Sequence, residues 1–449
     1  MNSKYGRTCI CLFVAISAGF GQNVETMKTL IKLRSKTDSL EQKFNKQDSI
    51  LQEMNDKLAE TEKKAQQLDS ALVEVTGQIH RQFGLPAMVD QGFTIGVGAT
   101  MILQGTNAPN ALSSGNKRIA DASYSMDLTF LKKFPNVGSR VFLHCEAAAG
   151  NGLDEGLRLF SGVNFDAVGR QGVQVSEAWY EQTFIADKLT GVIGLMDPSL
   201  YFDCNVAAND ETVQFLSQIF VINPTIEYPS FVSGGFYTPG LLLHADPFTG
   251  VHFTGAVFDA NQDWERIGDN LFSIGELSIS PKIAGFQGHY RFYGWFNRMP
   301  HPRWNNPLDT NENSHGFGIS FDQQCADVLT LFVRFGWRDP HNYTLKVSSA
   351  PIAMSWSAGV QIGGKPWYRE NDAAGIAVGQ ALQSRDYAAA NLDLHAKAET
   401  HCEAYYRIQC FDKMSISPDI QYILDPFGGD APLTAKNVPV FGIRSEVDF

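Results

Sequence analysis

The chain has 449 residues, 44% of them apolar and 12% aromatic, with forty glycines and a formal net charge of -12. That charge, with no basic stripe able to neutralise phosphates, excludes a nucleic-acid partner. Beyond the N-terminus no stretch reaches the roughly 18 uninterrupted apolar residues of a spanning helix, so a membrane location requires a barrel.

Residues 1–21 read as a signal peptide. Lys4 and Arg7 form a basic start, Cys9 to Ala18 an apolar run too short to cross a bilayer, and Gly19 and Gly21 suit cleavage near Gln22. Cys9 and Cys11 sit inside the apolar run rather than at the cleavage point, which argues against a lipid anchor.

From Gln22 to Gln82 the composition turns to Lys, Glu, Gln, Asp, Ser and Leu, with no proline and no glycine before Gly77. Leu30, Leu33, Leu40, Phe44, Leu51, Met54, Leu58, Leu68, Leu72, Val75 and Ile79, with Thr37, Gln47, Thr61 and Ala65 between them, follow at alternating spacings of three and four. That unbroken register predicts a coiled coil about 75 Å long at roughly 1.5 Å per residue. The competing reading, a lone helix packed on the protein's own surface, wants a wider apolar stripe. The heptads leave dimer and trimer open. Residues 83–91, with Gly84 and Pro86, form a linker.

Residues 92–449 read as strands. Phe93, Ile95, Val97, Ala99, Met101 and Leu103 alternate with mostly polar or small residues, and the beat recurs at Tyr124–Phe130, Val141–Ala147, Val251–Val257, Leu329–Trp337, Ile352–Ile362, Ala404–Cys410 and Met414–Leu424. At roughly 20 to 25 residues per strand and connection the segment holds about sixteen strands. In the last strand Phe441, Ile443, Val447 and the terminal Phe449 alternate with Gly442, Arg444, Glu446 and Asp448. An apolar-out, polar-in strand ending in an aromatic residue is the expected assembly signal of an outer-membrane barrel. Cys402 and Cys410 share a face but lie about 27 Å apart, too far for a disulfide.

Several stretches resemble the carbohydrate-selective porin family. They are Glu177-Ala-Trp-Tyr-Glu-Gln182, Asp187-Lys-Leu-Thr, Gly194-Leu-Met-Asp-Pro198, Tyr201-Phe-Asp203, Phe258-Asp-Ala-Asn261, Phe335-Gly-Trp-Arg-Asp-Pro340, Glu403-Ala-Tyr-Tyr-Arg407, Pro418-Asp-Ile-Gln-Tyr422 and Asp425-Pro426. The resemblance implies a sixteen-stranded outer-membrane barrel, a monomer or homotrimer, narrowed by inward loops and passing sugars by facilitated diffusion. Val192 and Leu195 stand where the pattern implies basic residues, so a basic constriction is not expected.

A sugar channel needs polar groups and flat aromatic faces that bind weakly enough to release. Glu177, Trp179 and Glu181 share one strand face, Arg291 and Trp295 another, and Arg334 and Arg338 a third. These seven are the candidate pore-lining residues. The bland alternatives are an interfacial aromatic girdle for Trp179 and a generic transverse field for the arginines. No nucleophile elbow, phosphate loop or paired-histidine zinc spacing appears, so neither an enzyme nor a cofactor or metal is expected.

The expectation is thus an all-β transmembrane barrel behind a periplasmic coiled coil, embedded in outer-membrane lipid and passing small sugars and other hydrophilic solutes. A homotrimer is favoured because three N-termini on one face would nucleate a three-stranded coil. A tether binding peptidoglycan and a soluble glycan-binding β-protein are the alternatives.

Overall fold

The computed structural model describes Gln52 and residues 92–449, apart from 109–119, 155, 168–171, 186–187, 230–235, 262–263, 265, 344–350 and 431–436. The predicted signal peptide, nearly all of the heptad segment and the predicted linker up to Gln91 lie outside the described residues. Strands run Phe93–Gly105 (β1), Ala120–Phe134 (β2), Ser139–Ala149 (β3), Gly172–Ile185 (β4), Leu189–Met196 (β5), Thr238–Phe248 (β6), Val251–Asp259 (β7) and Leu271–Ile279 (β8). They continue with the two-residue Lys282–Ile283 (β9), then Phe286–His301 (β10), Glu312–Ala326 (β11), Leu329–Arg338 (β12), Ile352–Gly363 (β13), Ala373–Gln383 (β14), Glu399–Phe411 (β15), Met414–Leu424 (β16) and Asn437–Asp448 (β17).

Each strand pairs antiparallel with the next, β8 meets β10 directly, and β17 returns to β1. With β9 only an extension of the β8–β10 turn, sixteen strands close a barrel that has no free edge. The closing seam reaches the last residue: Phe449 N donates to Val97 O at 2.8 Å and Val97 N to Phe449 O at 3.1 Å.

Period-two alternation sorts the wall into two faces. In β1, Met101 and Leu103 are 55% and 48% exposed, while Ile102 and Gln104 between and beyond them are 0% and 1% exposed. Phe253, Phe292, Phe317, Val333, Ile376, Phe441 and Ile443 continue the outer apolar surface. In water such a surface is a liability; in hydrocarbon it is what a barrel needs. Among the described residues no helix is long and apolar enough to cross a membrane.

The end that holds Phe449 carries tight connections, such as Thr249-Gly250, where Gly250 takes a φ of 75°. The opposite end carries long ones, including residues 150–171 between β3 and β4 and 197–237 between β5 and β6. Short turns mark the periplasmic end of barrels of this type.

Both long connections turn into the barrel. From 197–237, Phe202, Ile226 and Tyr228 pack on Val192, Leu242, Phe258, Phe272 and Trp295 of the wall. Phe215 and Phe220, with Phe160 of the other loop, pack on Phe332, Ala377 and Tyr405. Glycine makes room for this on the inner face of β12. A Cβ at Gly336 would lie 2.2 Å from Thr225 Oγ1 and 2.5 Å from Asn223, so any larger residue would push the loop off the wall.

Candidate functional site

Inward polar side chains of the wall hold the two loops by their backbones. Arg334 donates from Nε to Asp203 Oδ1 at 3.2 Å, from Nη2 to Asp203 O at 2.8 Å and Asn209 Oδ1 at 3.2 Å, and from Nη1 to Ala208 O at 2.6 Å and to Phe220 O. Arg444 donates to Glu211 O at 2.6 Å and Gln214 O at 2.9 Å. Glu403 accepts from Leu216 N and Ser217 N at 2.6 and 2.9 Å, and Glu399 from Phe160 N, Ser161 N and Phe427 N. Charges this deeply buried persist only where such partners replace water. Within the 150–171 loop, Asp154 accepts from Val163 N at 2.7 Å and Asn164 N at 2.9 Å, while burial pushes its carboxyl up to about 6.

The pinned loop leaves space around its tip, residues 210–214. A cavity of about 340 Å³ is bounded by Asp127, His144, Glu146 and Glu177 on the wall side and by Asp197, Asp210, Glu211 and Thr212 of the inward loop. It adjoins a second of about 260 Å³ against β1 and β17, with which it shares Asp127, Asp210 and Thr212. A third, about 650 Å³, lies between Val213, Gln214, the wall residues Gln361 and Arg407, and the turn residues Glu370, Asp372 and Asp412 at the short-turn end, and shares Val213 with the second. Among the described residues, twelve Asp or Glu and one Arg, Arg407, line these spaces. An acidic lining of this kind makes the local field negative, which favours cations and neutral polar solutes over anions.

The structure brings Glu177, Trp179 and Glu181 together on the inner face. Glu177 lines the first cavity and accepts from Trp179 Nε1 at 3.1 Å; the indole stacks on Phe142 at 4.9 Å, under Arg140, which pairs with Glu181 at 2.5 Å. Arg291 also points inward, to Asp322 at 2.9 Å and Glu276 at 4.0 Å. The other three candidates differ from the pore-lining expectation. Trp295, 4% exposed and stacked on Phe272, Arg334 at 1% and Arg338, paired with Glu227 at 3.0 Å, all lie beneath the inward loop. Alternation predicts their inward direction, but the loop that covers them has no periodic pattern to announce it.

The candidates read from the sequence did not include the loop tip or the wall residues Asp127, His144 and Glu146 that face it. Nor did they include Arg444, Glu399 and Glu403 as loop anchors. Their inward positions follow from strand alternation, whereas their partners are backbone groups up to 239 residues away in sequence.

Residues 145–449 match the model of the carbohydrate-selective porin, OprB family. The chain superposes on the high-pH structure of Pseudomonas putida OprB with a TM-score of 0.67 at 15% identity, covering 82% of this chain and 97% of that one. For the low-pH structure of the same protein the values are 0.50, 14%, 81% and 95%. Both show a shared fold. An uncharacterised protein of Aquifex aeolicus (strain VF5) is 27% identical over 160 residues, 35% of this chain and 42% of that protein's length. The family match takes in every strand from β4 onward and the whole of the inward 197–237 loop, and on that ground the chain belongs to the carbohydrate-selective porin, OprB family.

Proposed function

We propose that the chain is an outer-membrane porin through which sugars and other small hydrophilic solutes diffuse passively, around the tip of the inward loop. The observation that carries this reading is the acid-lined space between residues 210–214 and the wall. Its largest part, about 650 Å³, falls within the roughly 300 to 1,000 Å³ typical of small-molecule clefts. Carboxylates and amides there exchange hydrogen bonds with hydroxyls, and Glu177, Trp179, Glu181 and Arg291 are the proposed solute contacts. Trp295, Arg334 and Arg338 instead support the loop.

The barrel carries diffusion rather than chemistry in this reading. The heptads of residues 22–82 support a periplasmic coiled coil, and the symmetry of three barrels with N-termini on one face supports a homotrimer. Osmotic swelling of liposomes holding the purified protein tests the central function. Small neutral sugars should enter faster than larger oligosaccharides; swelling no faster than in protein-free liposomes would overturn the reading.

A further inference from the structure

We infer that His244, Asp246 and His252 form a binding site for a transition-metal dication of the zinc class, at the short-turn mouth of the barrel. No short sequence signature marks it. The three residues come together because β6 and β7 form one hairpin, in which His244 pairs opposite Thr254 and the ladder shifts register between Ala245 and Phe248. On β6, His244 and Asp246 fall on the face of the inward Leu242, opposite the outward Leu241 and Leu243; on β7, His252 shares the face of the buried Thr254 and Ala256.

The ligand atoms of the three side chains all lie within 4.8 Å of one another. His244 Nε2 is 3.1 Å from Asp246 Oδ1, and His252 Nδ1 contacts the same oxygen. The two rings stand nearly parallel, at an angle of 17° with centroids 6.0 Å apart. Ligands of a tetrahedral zinc, with bonds of roughly 2.0 to 2.2 Å, sit about 3.3 Å from one another, so small rotations admit the ion. Two imidazoles and one carboxylate leave a coordination position for water, and imidazole favours Zn²⁺, Cu²⁺ or Ni²⁺ over Mg²⁺ and Ca²⁺.

An outer partner already orients one ligand. Thr254 Oγ1 lies 2.8 Å from His244 Nδ1, which leaves Nε2 turned toward Asp246 and the ion; outer hydrogen bonds of this kind fix the ring and tautomer of metal-bound histidines. Asp246 is held in turn by its backbone N, which donates to Lys188 O at 2.9 Å. Each of the three side chains is about one-third exposed, so an ion reaches them from the mouth without unfolding anything.

The alternative is a plain hydrogen-bonded triad, in which both imidazoles donate N–H to one carboxylate oxygen and no ion binds. Calorimetric titration of the full-length, metal-stripped protein in detergent with Zn²⁺, and separately with Mg²⁺, distinguishes the two. The site predicts one Zn²⁺ per chain, no Mg²⁺ at the same concentrations, and a loss of affinity of at least about tenfold in His244→Ala and in His252→Ala. Thr254→Val, which keeps all three ligands, should weaken binding by about tenfold or more. His395→Ala, at a histidine–aspartate pair on a loop at the far end, should leave it unchanged. Heat-modifiable gel mobility confirms that each variant is folded. Undiminished Zn²⁺ uptake in the folded His244→Ala and His252→Ala variants, or none in the natural chain, would overturn the site.

Discussion

Arg334 gives all three guanidinium nitrogens to one loop, and in return that loop supplies the arginine's ion-pair partner, Asp203. Removing one partner of a buried pair leaves the other charge uncompensated, at a cost of about 3 to 5 kcal/mol. Arg334→Met should therefore lower the temperature at which the barrel band shifts on gels and should raise the open-channel current noise as the loop loosens. Arg334→Lys should restore little, since an ammonium lacks the planar fork that reaches several acceptors at once. Unchanged melting and noise in Arg334→Met would show that apolar packing alone holds the loop. Trp179 is the other residue to test: its ring stacks on Phe142 beside the first cavity, so Trp179→Ala should weaken sugar block of the current while leaving open conductance near normal. Intact sugar block with a less stable barrel would make it a packing residue. That Arg334 and Trp179 point inward follows from counting residues along a strand. What each meets there depends on a loop whose path is set by contacts remote in sequence.

The elements read most clearly are the strands. Alternation between Met414 and Leu424 coincides with β16 end to end, while Tyr124–Phe130 and Ala404–Cys410 are interior portions of the longer β2 and β15. The extra residues lie at strand ends, where turn chemistry and polar side chains dilute the period. The seam element makes a sharp prediction. Because Phe449 exchanges both backbone hydrogen bonds with Val97, deleting it removes the last rung between β17 and β1 and the terminal aromatic together. Outer-membrane levels of the truncated protein should fall and a protease-sensitive form accumulate; normal levels would contradict the role of this strand in assembly. The heptad element has its own test. A peptide spanning Gln22–Gln82 should be helical and oligomeric, with helicity that rises with concentration and is abolished by Leu51→Asp together with Leu58→Asp. Sedimentation as a monomer at all accessible concentrations would contradict self-association. The hairpin β6–β7 shows the limit of reading elements singly: His244, Asp246 and His252 gain a shared geometry only once two strands are paired in register.

At the scale of the whole molecule, a wall that is apolar outside and mixed polar and apolar inside is filled by two of its own loops, and the space left over is acidic. No reading of single strands could place Glu211 or Asp210 of the loop tip beside Asp127 and Glu146 of the wall. The charge distribution sets the direction of ion selectivity, and the size of the gap sets which solutes pass. Glu211→Lys should accordingly reduce the preference for cations, read as a shift of the reversal potential in a salt gradient. The most direct test of the account is single-channel recording of the natural protein in a planar bilayer, in a salt gradient and with neutral sugar added. Open, cation-preferring channels whose current falls as sugar is added are the predicted result; channels that prefer anions and carry the same current with and without sugar would contradict it.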